Sequence, residues 1–121
     1  MEHNSRKKGD WGETLALDYL LKNNYHLLVK NYQYSKFGEI DIIMETPDRK
    51  TIVFIEVKAG SSVPYGPLEY WITPRKQKTI YKIAEAYIQN FQPEDKDFRF
   101  DAVIVQGSKN NYQIKHYKNG F

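Results

Sequence analysis

The chain has 121 residues, 40% hydrophobic and 15% aromatic, a size for one domain spanning 1–121 and a composition that supports its own core. Eighteen Lys and Arg against fifteen Asp and Glu give a net charge of +3, which permits a nucleic-acid partner without demanding one. Cysteine is absent, which excludes disulfides, thiolate zinc sites and Cys nucleophiles, and no apolar run is long enough to cross a membrane. Residues Met1 to Lys8 carry no apolar segment behind their charges, so no secretory signal is expected and the cytoplasm is the expected location.

The spacing predicts a first helix over about Ser5–Asn23. Trp11, Leu15 and Leu20, with Ala16, Leu17, Tyr19 and Leu21 around them, recur at helical intervals. Gly9 and Gly12 disfavour its first turns, so an ordered helix is expected only from about Asp10. Asn23-Asn24 supplies a stop. Three extended runs follow, over Tyr25–Tyr34, Gly38–Glu45 and Thr51–Lys58, the last two alternating in the manner of strands. Thr46 to Lys50 has turn chemistry, so these two should form an antiparallel hairpin. Ala59 to Thr73, with Pro64 and Pro67 around Tyr65-Gly66, reads as a long loop. Thr73-Pro74 then opens a second helix, with Thr as N-cap and Pro at its first position. Its apolar stripe is Ile80, Ile83, Ala84, Tyr87 and Ile88, and Pro93 ends it. Phe98–Gln106 and Tyr112–Tyr117 complete the order αβββαββ, a mixed α/β sheet flanked by helices.

The acidic residues of the hairpin carry the chemistry. With the turn centred on Asp48-Arg49, opposite residues sum to 97. Asp41 then faces Glu56, and Glu39 faces Lys58. Two carboxylates converging beside a lysine can hold a hard divalent cation such as Mg²⁺. The alternative is a solvent-facing strand pair whose charges keep the sheet soluble. Glu13 projects from the apolar side of the first helix, where an acid needs a partner, and docking can bring it towards Asp41 and Glu56. Arg75, Lys76 and Lys78 open the second helix, and Lys82 extends the stripe. Cations at a helix N-terminus oppose its dipole unless an anion binds there; the alternative is a solvated basic face. His3, His26 and His116 share no ligand spacing, which argues against zinc. Tyr65, Tyr70 and Trp71 can stack on unpaired bases or form a satellite apolar cluster.

At Gly38-Glu39-Ile40-Asp41, followed by Phe54-Ile55-Glu56-Val57-Lys58, the chain resembles the PD-(D/E)XK nuclease superfamily. Within it, the chain is similar to the YraN-like family of small bacterial endonuclease-like proteins. The similarity takes in Gly12-Glu13 with Ala16, Asn31, Thr73 with Lys76, and Phe100-Asp101-Ala102-Val103. It implies a restriction-endonuclease-like core in which Asp41 and Glu56 match the metal-binding acids. Lys58 would match the catalytic lysine, and Glu13 the helical acid that completes the metal site. Glu39 fits the motif without a settled role and stays outside the implied metal shell. Gln77 takes either a polar place near the site or a surface role, and Asp101 is expected to cap or salt-bridge within the fold. Superfamily relatives often carry an Arg shortly after the Glu-Val-Lys, whereas Ala59-Gly60-Ser61 follows here.

The leading expectation is a Mg²⁺-dependent endonuclease, with Mn²⁺ able to substitute, acting on DNA at branched or damaged structures. Its phosphate track would be Arg75, Lys76, Lys78 and Lys82. A non-catalytic nucleic-acid-binding module with the same fold is the alternative, and a protein-interaction adaptor the third reading. The oligomeric state stays open, a homodimer included.

Overall fold

The computed structural model describes residues 3–61 and 70–121, with side chains from Trp11 onward. The elements are α1 (His3–Lys22), β1 (His26–Tyr34), β2 (Gly38–Glu45), β3 (Thr51–Gly60), α2 (Pro74–Phe91), β4 (Asp97–Ser108) and β5 (Asn111–Tyr117). A short 3-10 turn, Ser35–Phe37, joins β1 to β2. The five strands form one sheet in sequence order, antiparallel throughout except for the parallel β3–β4 pair that α2 connects. This is a mixed α/β sheet with a helix on each face, consistent with a restriction-endonuclease-like core. Among the described residues, no helix is long and apolar enough to cross a membrane.

α1 starts at His3, not near Asp10. Each interior glycine costs about 1 kcal/mol relative to alanine. The helix absorbs that because Ala16 and Leu20 are fully buried against the sheet with Tyr25, Ile42, Met44, Val53, Ile55, Val103 and Val105. The helix stops where Asn24 takes a left-handed conformation (φ 68°). On the other face, Ile80, Ile83, Ala84 and Tyr87 of α2 cover Ile43, Ile52, Phe54 and Ala102. Thr73 caps α2 by accepting the Lys76 N–H at 3.2 Å, with Pro74 at the first helical position. β3 is therefore buried on both sides, and the Phe54 ring packs among Tyr87, Phe98 and Phe100.

The β2–β3 hairpin has the register set by its turn, with Ile42↔Ile55, Ile43↔Phe54, Met44↔Val53 and Glu45↔Ile52. Pairing ends at Ile42↔Ile55. Beyond it, Ile40, Glu39 and Gly38 continue alongside β1, while Glu56 to Gly60 continue alongside β4. The sheet thus parts between β2 and β3. The expected cross-strand pairs Asp41–Glu56 and Glu39–Lys58 are not ladder pairs, because the strands have already diverged there.

A candidate metal centre and its basic flank

Polar backbone exposed by the parting strands needs a partner, and Asp41 supplies it. Its Oδ2 accepts the Val57 N–H at 2.8 Å, a side chain standing in for the missing ladder bond. Around Asp41, Glu13 of α1 and Glu39 of β2 each offer a carboxylate oxygen, and one oxygen from each of the three lies within 4.8 Å of the others. Asn31 fixes this arrangement. Its Nδ2 donates to Glu13 Oε1 at 3.1 Å and to Glu39 Oε2 at 2.9 Å. Asn31 reaches both from a left-handed backbone position within β1 (φ 51°), which asparagine tolerates better than most residues.

Glu56 stands beside this trio, 4% exposed. The solvent-facing strand pair is thereby excluded. Its Oε2 lies 3.9 Å from both Lys58 Nζ and Lys76 Nζ. Its Oε1 is buried without a hydrogen-bond donor. Burial first, then the neighbouring Glu56 charge, push the Asp41 carboxyl from its ordinary 3.8 up to about 8. Glu56 is also raised by burial, against the pull of Lys76 and Lys58. Both carboxyls are thereby held towards their neutral forms.

The residues expected from the sequence therefore separate into two groups. Glu13, Asp41, Glu56, Lys58 and Lys76 meet at the parting of the strands, and Glu39, left outside the implied metal shell, stands within the carboxylate trio. Arg75, Lys78 and Lys82 line a separate groove with Phe37, Pro74 and Thr79, in contrast to Lys76, which turns towards Glu56. Gln77 ties the helix start by donating from Nε2 to the Ile72 carbonyl at 3.0 Å. Trp71 packs against the α2-side core and Tyr70 is exposed, while Tyr65 lies outside the described residues.

Asp101 has the structural role expected of it. It is fully buried, and Arg99 Nη2, His116 Nε2 and the Asn119 N–H lie 2.8, 2.7 and 2.9 Å from its oxygens. Burial alone would raise this carboxyl, but these donors outweigh it and hold the pKa below the usual range. With His116 Nε2–H donating to Asp101, Nδ1 is left to accept the Tyr19 hydroxyl at 3.3 Å. The network ties α1 to β4, β5 and the chain end, and it leaves Asp101 out of the carboxylate centre.

The family model of an uncharacterised protein family, UPF0102, matches residues 12–105. A UPF0102 protein of Clostridium botulinum (strain Kyoto / Type A2) is 44% identical over 124 residues, covering 100% of this chain and 98% of that one. A UPF0102 protein of Acetivibrio thermocellus is 39% identical over 114 residues, covering 94% of this chain and 86% of that one.

Proposed function

The chain belongs to the UPF0102 family, and from the site built at the parting of its strands we propose a divalent-metal-dependent endonuclease that hydrolyses phosphodiesters in DNA. The observation that carries this reading is the carboxylate trio Glu13, Glu39 and Asp41 beside Glu56, whose buried Oε1 has no donor. The donors are all oxygens, which suits a hard cation such as Mg²⁺, with Mn²⁺ able to take its place. Glu13, Glu39 and Asp41 would hold it, with Glu56 at its side. When bound, such a cation supplies Lewis acidity at the scissile phosphate.

The remaining steps belong to the chain. Asn31 keeps Glu13 and Glu39 aimed at one point, which pre-orients the site. Lys58 and Lys76 bring two ammonium groups towards the same carboxylate, placed to stabilise charge that develops on the phosphate oxygens. Lys58 sits on the central strand β3 and takes the part of the catalytic lysine. Arg75, Lys78 and Lys82 hold the flanking phosphates. The motif Gly38-Glu39-Ile40-Asp41 with Glu56-Val57-Lys58 supports placing this chemistry in the PD-(D/E)XK superfamily. A DNA substrate fits the cytoplasm as its place of work.

The test is cleavage of a panel of single-stranded, duplex, flapped and four-way DNA in Mg²⁺ or Mn²⁺, beside Asp41→Asn. Cleavage that requires the metal and is lost in Asp41→Asn supports the reading. Binding of DNA without turnover in either metal would overturn it and leave the non-catalytic nucleic-acid-binding module.

A further inference from the structure

Phe37 is left 47% exposed in the 3-10 turn between β1 and β2. Its ring stacks on Tyr34, with centroids 5.7 Å and planes 11° apart, so a neighbouring ring orients it without burying it. It forms one wall of a groove of about 370 Å³ whose other described lining is Pro74, Arg75, Lys78, Thr79 and Lys82. Three cations and no carboxylate are in that lining. Lys82 Nζ lies 4.6 Å from the Phe37 centroid. That interaction is weak at an exposed site, so the exposed Lys82 can leave the ring and keep its charge for a phosphate.

Arg75, Lys78 and Lys82 stand on one helix face over about 10 Å, at 1.5 Å per residue. A row of cations alone would suit any phosphate backbone. The exposed ring narrows the choice. In a duplex the bases are stacked on one another and offer an aromatic side chain no free face, whereas a single strand offers every base. The groove is separate from the carboxylate centre but linked to it along the chain. Glu39 follows Phe37 by two residues, so their backbones lie within about 7 Å of each other. A base on Phe37 therefore belongs to a nucleotide close to the metal ligands.

We propose that Phe37 is a stacking platform for an unpaired base, and that the α2 groove takes single-stranded DNA up to the carboxylate centre. The inference rests on the endonuclease reading for where that strand leads, and it narrows the substrate to DNA with an unpaired segment at the cut. Its test reads binding alone, so it is independent of turnover.

The test is fluorescence anisotropy in EDTA at fixed low ionic strength, with a labelled 20-nucleotide strand of mixed sequence and the same strand annealed to its complement. The parent protein should bind the single strand more tightly. Phe37→Leu keeps apolar bulk without the π-face. It should lose on the order of tenfold in affinity for the single strand, within the range of one base–aromatic stack, and change duplex binding little. Phe37→Trp should restore the affinity, which separates stacking from a folding defect. Equal loss on both probes, no loss on the single strand, or no rescue by Trp would overturn the proposal. Metal-dependent cleavage of a fully paired duplex, with single-strand binding unaffected by Phe37→Leu, would sink this inference and leave the endonuclease standing.

Discussion

Gly12 of α1 lies against Ala59 of β3 so closely that a Cβ at position 12 would collide with the Ala59 Cβ. The small pair sets the distance between helix and sheet, and Glu13 is the next residue. A long side chain in place of Ala59 would meet α1.

Gly12→Ala should therefore lower stability by about 1–3 kcal/mol, the usual cost of overpacking, and weaken Mg²⁺ binding as Glu13 is displaced from Asn31 and Asp41. Adding Ala59→Gly removes the opposing Cβ and should return metal affinity to near the parent value. Chemical denaturation and calorimetric Mg²⁺ titration check both. If Gly12→Ala binds metal as the parent does, the close approach does not position the site.

Asp101 anchors the α1 face of the sheet through Arg99 and His116. Removing one partner from a buried, hydrogen-bonded charge pair typically costs about 3–5 kcal/mol, and Asp101→Ala leaves Arg99 and His116 facing an empty place. Because its pKa is held below the ordinary value, Asp101 contributes stability above about pH 4 that is lost as pH falls through its folded value. Denaturation curves of Asp101→Ala should show the loss at pH 7 and a weaker acid dependence. Metal affinity should remain, since Asp101 contacts none of the site's acids.

Local chemistry was legible in the sequence wherever one stretch of chain contained its whole cause. Thr73-Pro74 announces the start of α2, and the turn residues Thr46 to Lys50 fix the hairpin register. Asp41, Glu56 and Lys58 were singled out from that register and the motif, although the ladder ends before the cross-strand pairs it implied. Of the features that depend on distant stretches, the sequence offered only the inward aim of Glu13 towards Asp41. Glu39 joins the trio because β2 turns away from β3 and Asn31, on a third strand, reaches it from a left-handed backbone. Gly12 reads as a helix breaker until Ala59 is seen against it. Phe37 has no periodicity to mark it, since its meaning comes from a helix some forty residues later.

The buried Asp41 gives metal-free protein an inverted pH response. Its folded pKa of about 8 stands above the ordinary 3.8, so the native state keeps a proton that the unfolded chain has released. Between about pH 4 and pH 8, stability in EDTA should fall as pH rises, by at most about 1.4 kcal/mol per pH unit for one proton. Asp41→Asn cannot ionise and should remove most of that slope, leaving the variant more stable than the parent at pH 8 in EDTA. Saturating Mg²⁺ should stabilise the parent and not the variant. Thermal melts across this range decide it, and a parent slope unchanged in Asp41→Asn would contradict the assignment.

The groove cations should register in salt dependence. Removing one cation that neutralises a phosphate lowers the slope of log affinity against log salt by about 0.7–0.9. Arg75→Gln with Lys78→Gln should therefore flatten the slope for single-stranded DNA by about 1.4 units, twice the single-strand value. Lys76→Gln should move it less, because Lys76 is already engaged with Glu56. An unchanged slope in the double variant would return Arg75 and Lys78 to a solvated face.

Lys58 and Lys76 are equidistant from Glu56, so charge alone does not say which one would serve the proposed hydrolysis. Their supports differ. Lys58 is on β3, two residues from Glu56 and within the parallel pairing to β4, so its backbone is fixed beside that carboxylate. Lys76 is in the first turn of α2, next to the groove cations, and is better placed to receive substrate. Lys58→Met should lower the turnover rate by about 10²–10³-fold, the usual cost of losing one charge-stabilising donor, with KM little changed. Lys76→Met should act mainly through KM. Both variants should still bind Mg²⁺, since neither removes a carboxylate. Single-turnover cleavage with a parallel metal titration separates these outcomes. If Lys58→Met cleaves as the parent does while Lys76→Met does not, the catalytic lysine comes from the helix and Lys58 is only the counter-charge of Glu56.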